Sequence, residues 1–354
     1  MRNKLLAAFA VVAGMYGQGV LAETELPQQN LSYVGSVGGL AQYVEREKPF
    51  WSEHIPAASK GKIKTKVVSY DQMGLNGTEV YRLLQRGMFN IGSTVADYTV
   101  QDAPEFEGMD IPGLALTVDE AHALAEAFRP VMADIMKQRF DAELLAIVPY
   151  PAQLMFCKAD IKSLADLKGK RTRVSGRSNG EFLKALGVEP ITMPFGDVAG
   201  ALERGVIDCS VSGTLPGYSA GWHEIATHLF YGLPLGWDYV VTAANGKYWA
   251  GLTEETREFL LDQLANNYEK PAWETAKIES VTGLACLTGD GVCDKGTPGR
   301  MKLVRASEDD LKLARSVLEK HSLPTWAKRV DAAWVKRWNE TIGKLTGLSI
   351  DGAN

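Results

Sequence analysis

The sequence predicts an α/β protein built as two similar lobes, and three observations carry that expectation. Strand-like and helix-like stretches alternate along the chain, the pattern of α/β layers with largely parallel strands. One helix–glycine–strand unit occurs twice, 118 residues apart. The chain is 354 residues long, enough for roughly two domains.

In chain order, the first feature is a leader. Met1-Arg2-Asn3-Lys4 is a short basic start, Leu5 to Met15 is apolar, and Val20-Leu21-Ala22 ends in small residues. This is the pattern of a secretory signal peptide, with an apolar run too short to span a bilayer. Cleavage after Ala22 leaves 332 of the 354 residues and takes the net charge from −5 to −7, because Arg2 and Lys4 are lost. No later stretch has the ~20 uninterrupted apolar residues of a membrane span, so a soluble periplasmic protein is expected. A mildly acidic chain without a basic run is a poor nucleic-acid binder. Any anionic ligand must then be held by local positive charge.

Leu31 to Ser36 reads as the first strand, Leu40 to Trp51 as a helix, and Lys64 to Ser69 as a second strand. The repeated unit follows. Leu83-Leu-Gln-Arg-Gly-Met-Phe-Asn-Ile-Gly-Ser-Thr94 matches Ala201-Leu-Glu-Arg-Gly-Val-Ile-Asp-Cys-Ser-Val-Ser212. Gly87 and Gly205 suit the left-handed position that ends a helix. Each following strand ends in hydroxyls (Ser93 and Thr94, then Ser212), and strand carboxyl ends are where open α/β sheets hold ligands. Arg171 to Ser175 reads as a strand and Glu181 to Leu186 as a helix.

Further on, Thr253-Glu-Glu-Thr opens a helix with acids in its first turn, favourable to the helix dipole. It is expected to pass Trp273 toward Thr282, kinked at Pro271. Ser307 and Asp310 make a helix-start box. Trp334, Trp338, Ile342 and Leu345 fall at helical spacing and are expected to be packing residues.

Cysteines and catalytic motifs bound the chemistry. Export permits disulfides. Cys286 and Cys293 bracket a turn-rich hexapeptide, and a bridge there closes a small loop worth roughly 2–3 kcal/mol. Cys157 and Cys209 are left open between free thiols and a second bridge. No cysteine pair has zinc-site C-x-x-C spacing. His223 and His228 lie five apart, whereas two histidines on one helix face need a spacing of four, so no metal is expected. No G-x-x-x-x-G-K-[ST] phosphate loop is present, and no cofactor is expected. Gly176-Arg-Ser-Asn-Gly180 fits the G-x-S-x-G nucleophile elbow. An α/β-hydrolase using Ser178, with His223, His228 or His321 downstream, is therefore the alternative enzymatic reading. The other reading of the same residues is a strand-to-helix turn whose amides face an anion.

Ile161-Lys-Ser-Leu-Ala-Asp-Leu-Lys-Gly-Lys-Arg-Thr-Arg-Val174 makes the pattern specific. It resembles the substrate-binding receptors of tripartite ATP-independent periplasmic (TRAP) transporters, whose motif here runs D-L-K-G-x-K-I-R-V. The likeness continues through Phe182 to Gly187, Met193-Pro-Phe195 and Ala201 to Asp208, and upstream through Gly61 to Lys64, Gln72-Met-Gly74 and Leu84 to Gly87. It covers roughly residues 30 to 275. The resemblance implies a two-lobed periplasmic binding protein fold of type II character. Two crossover strands, near Tyr150-Pro151 and Trp237, and a long hinge-spanning helix from Thr253 join the lobes. Residues 23–150 and 239–278 are expected in lobe I, and 151–238 and 279–354 in lobe II. The implied function is capture of a small organic acid by lobe closure, without bond chemistry, and delivery to membrane permease subunits. Most such receptors are monomers, and some pair through the long helix.

By the same resemblance, Arg173 pairs with the ligand carboxylate, a role suited to the planar guanidinium fork. Phe195 packs on the ligand. Ser36, Thr94 and Val95 lie on first-lobe strand ends facing the cleft, and Trp237 and Asp238 lie where the chain returns between lobes. Three positions depart from the family. Gln153 stands where some members carry a second arginine, Ser212 where they carry an asparagine, and Val95 where sugar-acid binders carry an acid. A pocket short of charge is thus expected to suit a monocarboxylate with an apolar or aromatic body, because unpaired polar groups of a sugar acid are strongly disfavoured. A ligand-sensing module feeding a signalling receptor would use the same pocket.

Overall fold

The computed structural model describes residues 26–351, so the expected leader and its cleavage after Ala22 fall outside the described residues. Eleven strands among them form two sheets. In chain order they are β1 (Gln29–Gly35), β2 (Ile63–Ser69), β3 (Ile91–Val95), β4 (Ala142–Val148), β5 (Gln153–Cys157) and β6 (Arg171–Val174). They continue with β7 (Glu189–Thr192), β8 (Cys209–Gly213), β9 (His228–Tyr231), β10 (Val240–Asn245) and β11 (Lys302–Arg305). The first sheet has the order β2-β1-β3-β10-β4 and the second β11-β9-β5-β8-β6-β7.

The two sheets are made by one rule. The local units supply parallel pairs: β1 with β2 and β3, and β6 with β7 and β8. The strand that arrives from the other lobe inserts antiparallel to both neighbours. β5 does so between β8 and β9, and β10 between β3 and β4. The two crossovers, 149–152 and 232–239, lie side by side, with Tyr150 N–H donating to Trp237 O at 3.1 Å and Gln153 N–H to Gly236 O at 3.0 Å. The repeated unit occupies equivalent places. The helices Val80–Gln85 and Val198–Glu203 stop at Gly87 (φ 72°) and Gly205 (φ 68°) and feed β3 and β8, inside their respective sheets.

Alternation along the strands gives each sheet two buried faces. In β1, Leu31 and Tyr33 enter one first-lobe core with Trp51 and Ile63, while Val34 enters the other with Tyr81 and Phe140. The second lobe has one core around Cys157, Phe182 and Val211 and another around Phe156, Leu202 and Trp222. Both cysteine pairs are disulfides. Cys286–Cys293 closes the expected loop, and Cys157–Cys209 joins partners in register on β5 and β8.

The first helix spans 41–58, longer than the expected 40–51. The helix opened by Thr253 is also longer than expected, running 254–288. Its Pro271 is accommodated by a wide π turn, Ala265–Glu269, just before it. The same device precedes Pro56 (Phe50–His54) and Pro324 (Leu318–Ser322). Loosening the preceding turn relieves the missing N–H and the ring clash of a proline inside a helix. The long helix starts in the first lobe, where Ala272 and Trp273 are core, and ends in the second with Cys286 and Leu287.

The tail departs from the expected division. Ala314 and Val317 join a second-lobe core, but Leu318, Trp326, Trp334, Trp338, Ile342 and Ile350 join a first-lobe core. Trp326 and Trp338 donate from their ring N–H groups to Pro104 O (3.0 Å) and Gly108 O (2.7 Å) of the first lobe. Apolar spacing marks a face for burial but not its partner. Leu345, at the end of the expected stripe, is 51% exposed. No helix among the described residues is long and apolar enough to cross a membrane.

Candidate functional site

Arg173 is the third residue of β6 and is 1% exposed. Its strand neighbours Thr172 and Val174 turn the other way into packing, as period two requires. Nε donates to Met193 O (2.9 Å) and Nη1 to Val211 O (3.0 Å). These two carbonyls fix the fork, and Nη2 is buried with no hydrogen-bond partner. Phe195, opening the turn Phe195–Asp197, lies beneath the guanidinium at 5.9 Å and stacks on Trp222 at 5.1 Å. A buried charge with an unmade bond is costly in isolation. It is the arrangement expected of a group waiting for an anion.

Beyond Arg173 the strand gives way to Ser175, Gly176 and the helix Arg177–Ala185. The first lobe meets this turn directly. Asp97, in the turn Ala96–Thr99 after β3, presses its carboxylate into the place a Cβ on Gly176 would take. Arg177 Nε donates to Glu107 Oε1 (2.7 Å) and Nη2 to Val100 O (3.2 Å). Ser175 Oγ donates to Asp238 Oδ1 at 3.1 Å. Asp238 itself adopts a left-handed backbone (φ 45°). It is held there by Asp110, whose carboxylate accepts from the Trp237 N–H (2.9 Å) and the Asp238 N–H (2.8 Å).

The expected site residues divide. Gln153 opens β5 with Nε2 bonded to Pro151 O (3.3 Å) and Oε1 buried without a partner. Ser212, on β8, is buried two residues from Ser210, which is in register with Arg173. Ser36 follows β1 and donates its N–H to Glu47 Oε2 at 2.7 Å. Thr94 is fully buried and spends its hydroxyl on Gly77 O (3.0 Å). Val95 faces a first-lobe core, and Trp237 is 2% exposed in the other, its ring N–H directed at Ala115 O (3.4 Å). Val95 and Trp237 both pack against first-lobe cores.

A pocket short of charge is not what folds. Asp97, Asp110 and Asp238 converge on the end of β6, and sequence reasoning found only Asp238. Burial raises all three carboxyls, those of Asp97 and Asp110 well above the usual range. The neighbouring carboxylates raise Asp97 and Asp110 further, while the Arg173 charge pulls Asp238 partly back. Tyr98, beside the same arginine, is pushed up to about 12 by burial. No group of three His, Cys, Asp or Glu among the described residues has the arrangement of a metal site.

The hydrolase arrangement is not assembled. Ser178 Oγ is buried with no partner. His223 stacks on Tyr218, His228 bonds Thr227 Oγ1 and pairs with Asp160, and His321 is exposed on the tail. A groove of about 830 Å³ opens elsewhere, on the first lobe between the helix Val118–Phe140 and the long helix. Its charges are answered internally, Arg129 by Glu269 and Lys277 by Asp119. Neither Arg173 nor Gln153, with their unmade bonds, lines this groove.

Comparison with known proteins agrees with this architecture. The family model for bacterial extracellular solute-binding protein, family 7, matches residues 41–284. The ectoine-binding periplasmic protein TeaA of Halomonas elongata is 26% identical over 195 residues, 55% of this chain and 54% of that protein. The chain spans about half the length of the curated relatives it matches. A Bordetella pertussis extracytoplasmic solute receptor binding pyroglutamic acid superposes with a TM-score of 0.76 at 22% identity, covering 88% of this chain and 99% of that one. A marine metagenome TRAP solute-binding protein specific for aromatic acid ligands, from an unidentified microbe, was crystallised with 3-hydroxybenzoate. It has a TM-score of 0.74 at 25% identity over 90% of this chain and 99% of that one. The two sheets thus fall within a known architecture, and the chain belongs to family 7 of the bacterial extracellular solute-binding proteins.

Proposed function

We propose that this protein is exported, loses its leader after Ala22, and captures a small monocarboxylate with an apolar or aromatic body by closing its two lobes. It then delivers the acid, without bond chemistry, to membrane permease subunits. The observation that carries this reading is the buried, unpaired Nη2 of Arg173 at the lobe interface. A carboxylate placed there completes the fork with charge-assisted hydrogen bonds. Phe195 offers the body of the solute an apolar face. Gln153 and Ser212, in place of a second arginine and an asparagine, favour one carboxylate over a sugar acid rich in hydroxyls. The similar proteins named above, with ectoine, pyroglutamic acid and 3-hydroxybenzoate, support a compact ring acid.

The geometry supports closure. Arg173 belongs to the second lobe and Asp97 to the first, and Asp238 lies in the crossover between them, so a solute touching all three binds the closed state better than the open one. A thermal-shift screen over aromatic, keto and sugar acids, repeated on Arg173→Ala and Arg173→Lys, tests the reading. The wild type is expected to be stabilised by an aromatic or other apolar-bodied acid. Arg173→Ala should lose ~2–5 kcal/mol of binding, and Arg173→Lys should recover part of it. A shift that survives Arg173→Ala rejects the carboxylate site. Tight sialic-acid binding with no aromatic acid bound rejects the solute class.

A further inference from the structure

The three carboxylates around Arg173 are not explained by an acid-binding cleft alone. They come from separate segments and meet at one place. Asp97 leans on Gly176, Asp238 bonds the adjacent Ser175, and Asp110 holds the backbone on which Asp238 stands. Arg173 lies two residues before Ser175 on the same strand end.

The protein answers these charges unevenly. Asp110 is satisfied by two backbone N–H groups. Asp238 engages one oxygen, on Ser175. No hydrogen bond to the Asp97 carboxylate is made among the described residues, and the nearby Arg177 is committed to Glu107. Arg173 has one free donor edge, and it is 1% exposed. The cleft therefore presents an unpaired cation edge and, beside it, carboxylates in excess of the cations available to them. A solute carrying only a carboxylate would satisfy the first and leave the second unanswered. Burial and like charge hold Asp97 well above the usual carboxylate range, the condition that a bound cation reverses.

We propose that the solute is a zwitterion, its carboxylate on the free edge of Arg173 and a cationic nitrogen on the same small body held by Asp97 and Asp238. This rests on the carboxylate reading above and deepens it. A nitrogen cation also provides N–H donors directed at two carboxylates, which gives discrimination as well as charge balance.

Two matched pairs of acids test it by titration calorimetry on the full-length protein. Piperidine-2-carboxylate is compared with cyclohexanecarboxylate, and 3-(aminomethyl)benzoate with 3-methylbenzoate. In at least one pair the nitrogen-bearing acid is expected to bind at least about tenfold tighter. Asp97→Asn and Asp238→Asn, near-isosteric and tolerant of the local backbone, should each reduce that preference, and the double variant should abolish it. Nitrogen-free acids should bind these variants as well as or better than wild type. If the nitrogen-free acids bind through Arg173 as tightly as their partners, or the preference survives the double variant, the zwitterion inference falls and the carboxylate reading stands. If no acid binds, or binding is indifferent to Arg173→Ala, both fall.

Discussion

At the scale of single residues, the free edge of Arg173 and the buried acid Glu47 are opposite uses of the same low-dielectric interior. Arg173 is fixed by two carbonyls and left one bond short. Glu47 is fully buried, accepts from Ser36 N–H (2.7 Å) and Gln42 Nε2 (3.3 Å), and has its carboxyl pushed up to about 7 by burial, which those bonds only partly offset. A carboxyl whose folded value exceeds its unfolded one holds its proton more tightly when folded. Its contribution to stability is therefore undiminished below the unfolded value near 4.5, declines as pH rises, and is lost above about 7. At ~1.4 kcal/mol per unit, the loss is about 3 kcal/mol. Glu47→Gln keeps an acceptor for Ser36 and removes the titration. Denaturant unfolding at pH 5 and pH 8 should show the wild type losing ~2–3 kcal/mol more than the variant over that interval. Equal losses would mean that Glu47 is hydrated and titrates normally.

At the scale of elements, the turn from β6 into the helix Arg177–Ala185 is where lobe meets lobe, and Gly176 is its contact point. The Gly176 backbone (φ −144°, ψ −176°) is extended, so alanine is tolerated there locally. What alanine meets is Asp97 from the other lobe. Gly176→Ala should leave folding of each lobe intact but hold the lobes apart. Small-angle scattering should then show no compaction with a solute that compacts the wild type, and affinity should fall by at least about tenfold. Normal compaction would mean the interface yields. This turn also shows how much the sequence discloses. β1, β2, the repeated unit and the β6 arginine are readable because each depends on local periodicity, a glycine stop or one long motif. Asp97 and Asp110 are not, because they reach the site from turns without periodicity and touch it only through tertiary contact. Nor does the sequence disclose that the side chains of Trp237 and Val95 join first-lobe cores, because burial depends on what packs against a segment. The π turns before Pro56, Pro271 and Pro324 extend helices that proline would otherwise be expected to end.

At the scale of the whole molecule, ion pairs between the lobes would brace the closure proposed above. Glu107, on the first-lobe segment Pro104–Met109, has a fully buried carboxylate paired with Arg177 of the second lobe and with Arg329 of the tail. Arg329 also holds Glu181 of the second lobe through Nη1 at 2.8 Å to both carboxylate oxygens. Because the tail around Arg329 is anchored to the first lobe by Trp326 and Trp338, the Arg329–Glu181 and Arg177–Glu107 pairs both cross the cleft. Removing one partner from a buried pair costs ~3–5 kcal/mol when the other is left uncompensated, but Glu107 retains Arg177, so a smaller penalty is expected. Arg329→Met keeps the aliphatic stem packed and deletes only the charge. On the closure proposed above, the lost contacts to Glu181 belong to the closed state. The variant should therefore bind its solute about 10–100-fold more weakly, with most of the change in the dissociation rate. The melting temperature without solute should fall by a few degrees at most, since the tail's tryptophans remain in the core. Stopped-flow dissociation and thermal unfolding separate the outcomes. Unchanged dissociation would show that the solute contacts alone hold the lobes together, and a collapse in melting temperature would show that Arg329 secures the tail instead of the closed state.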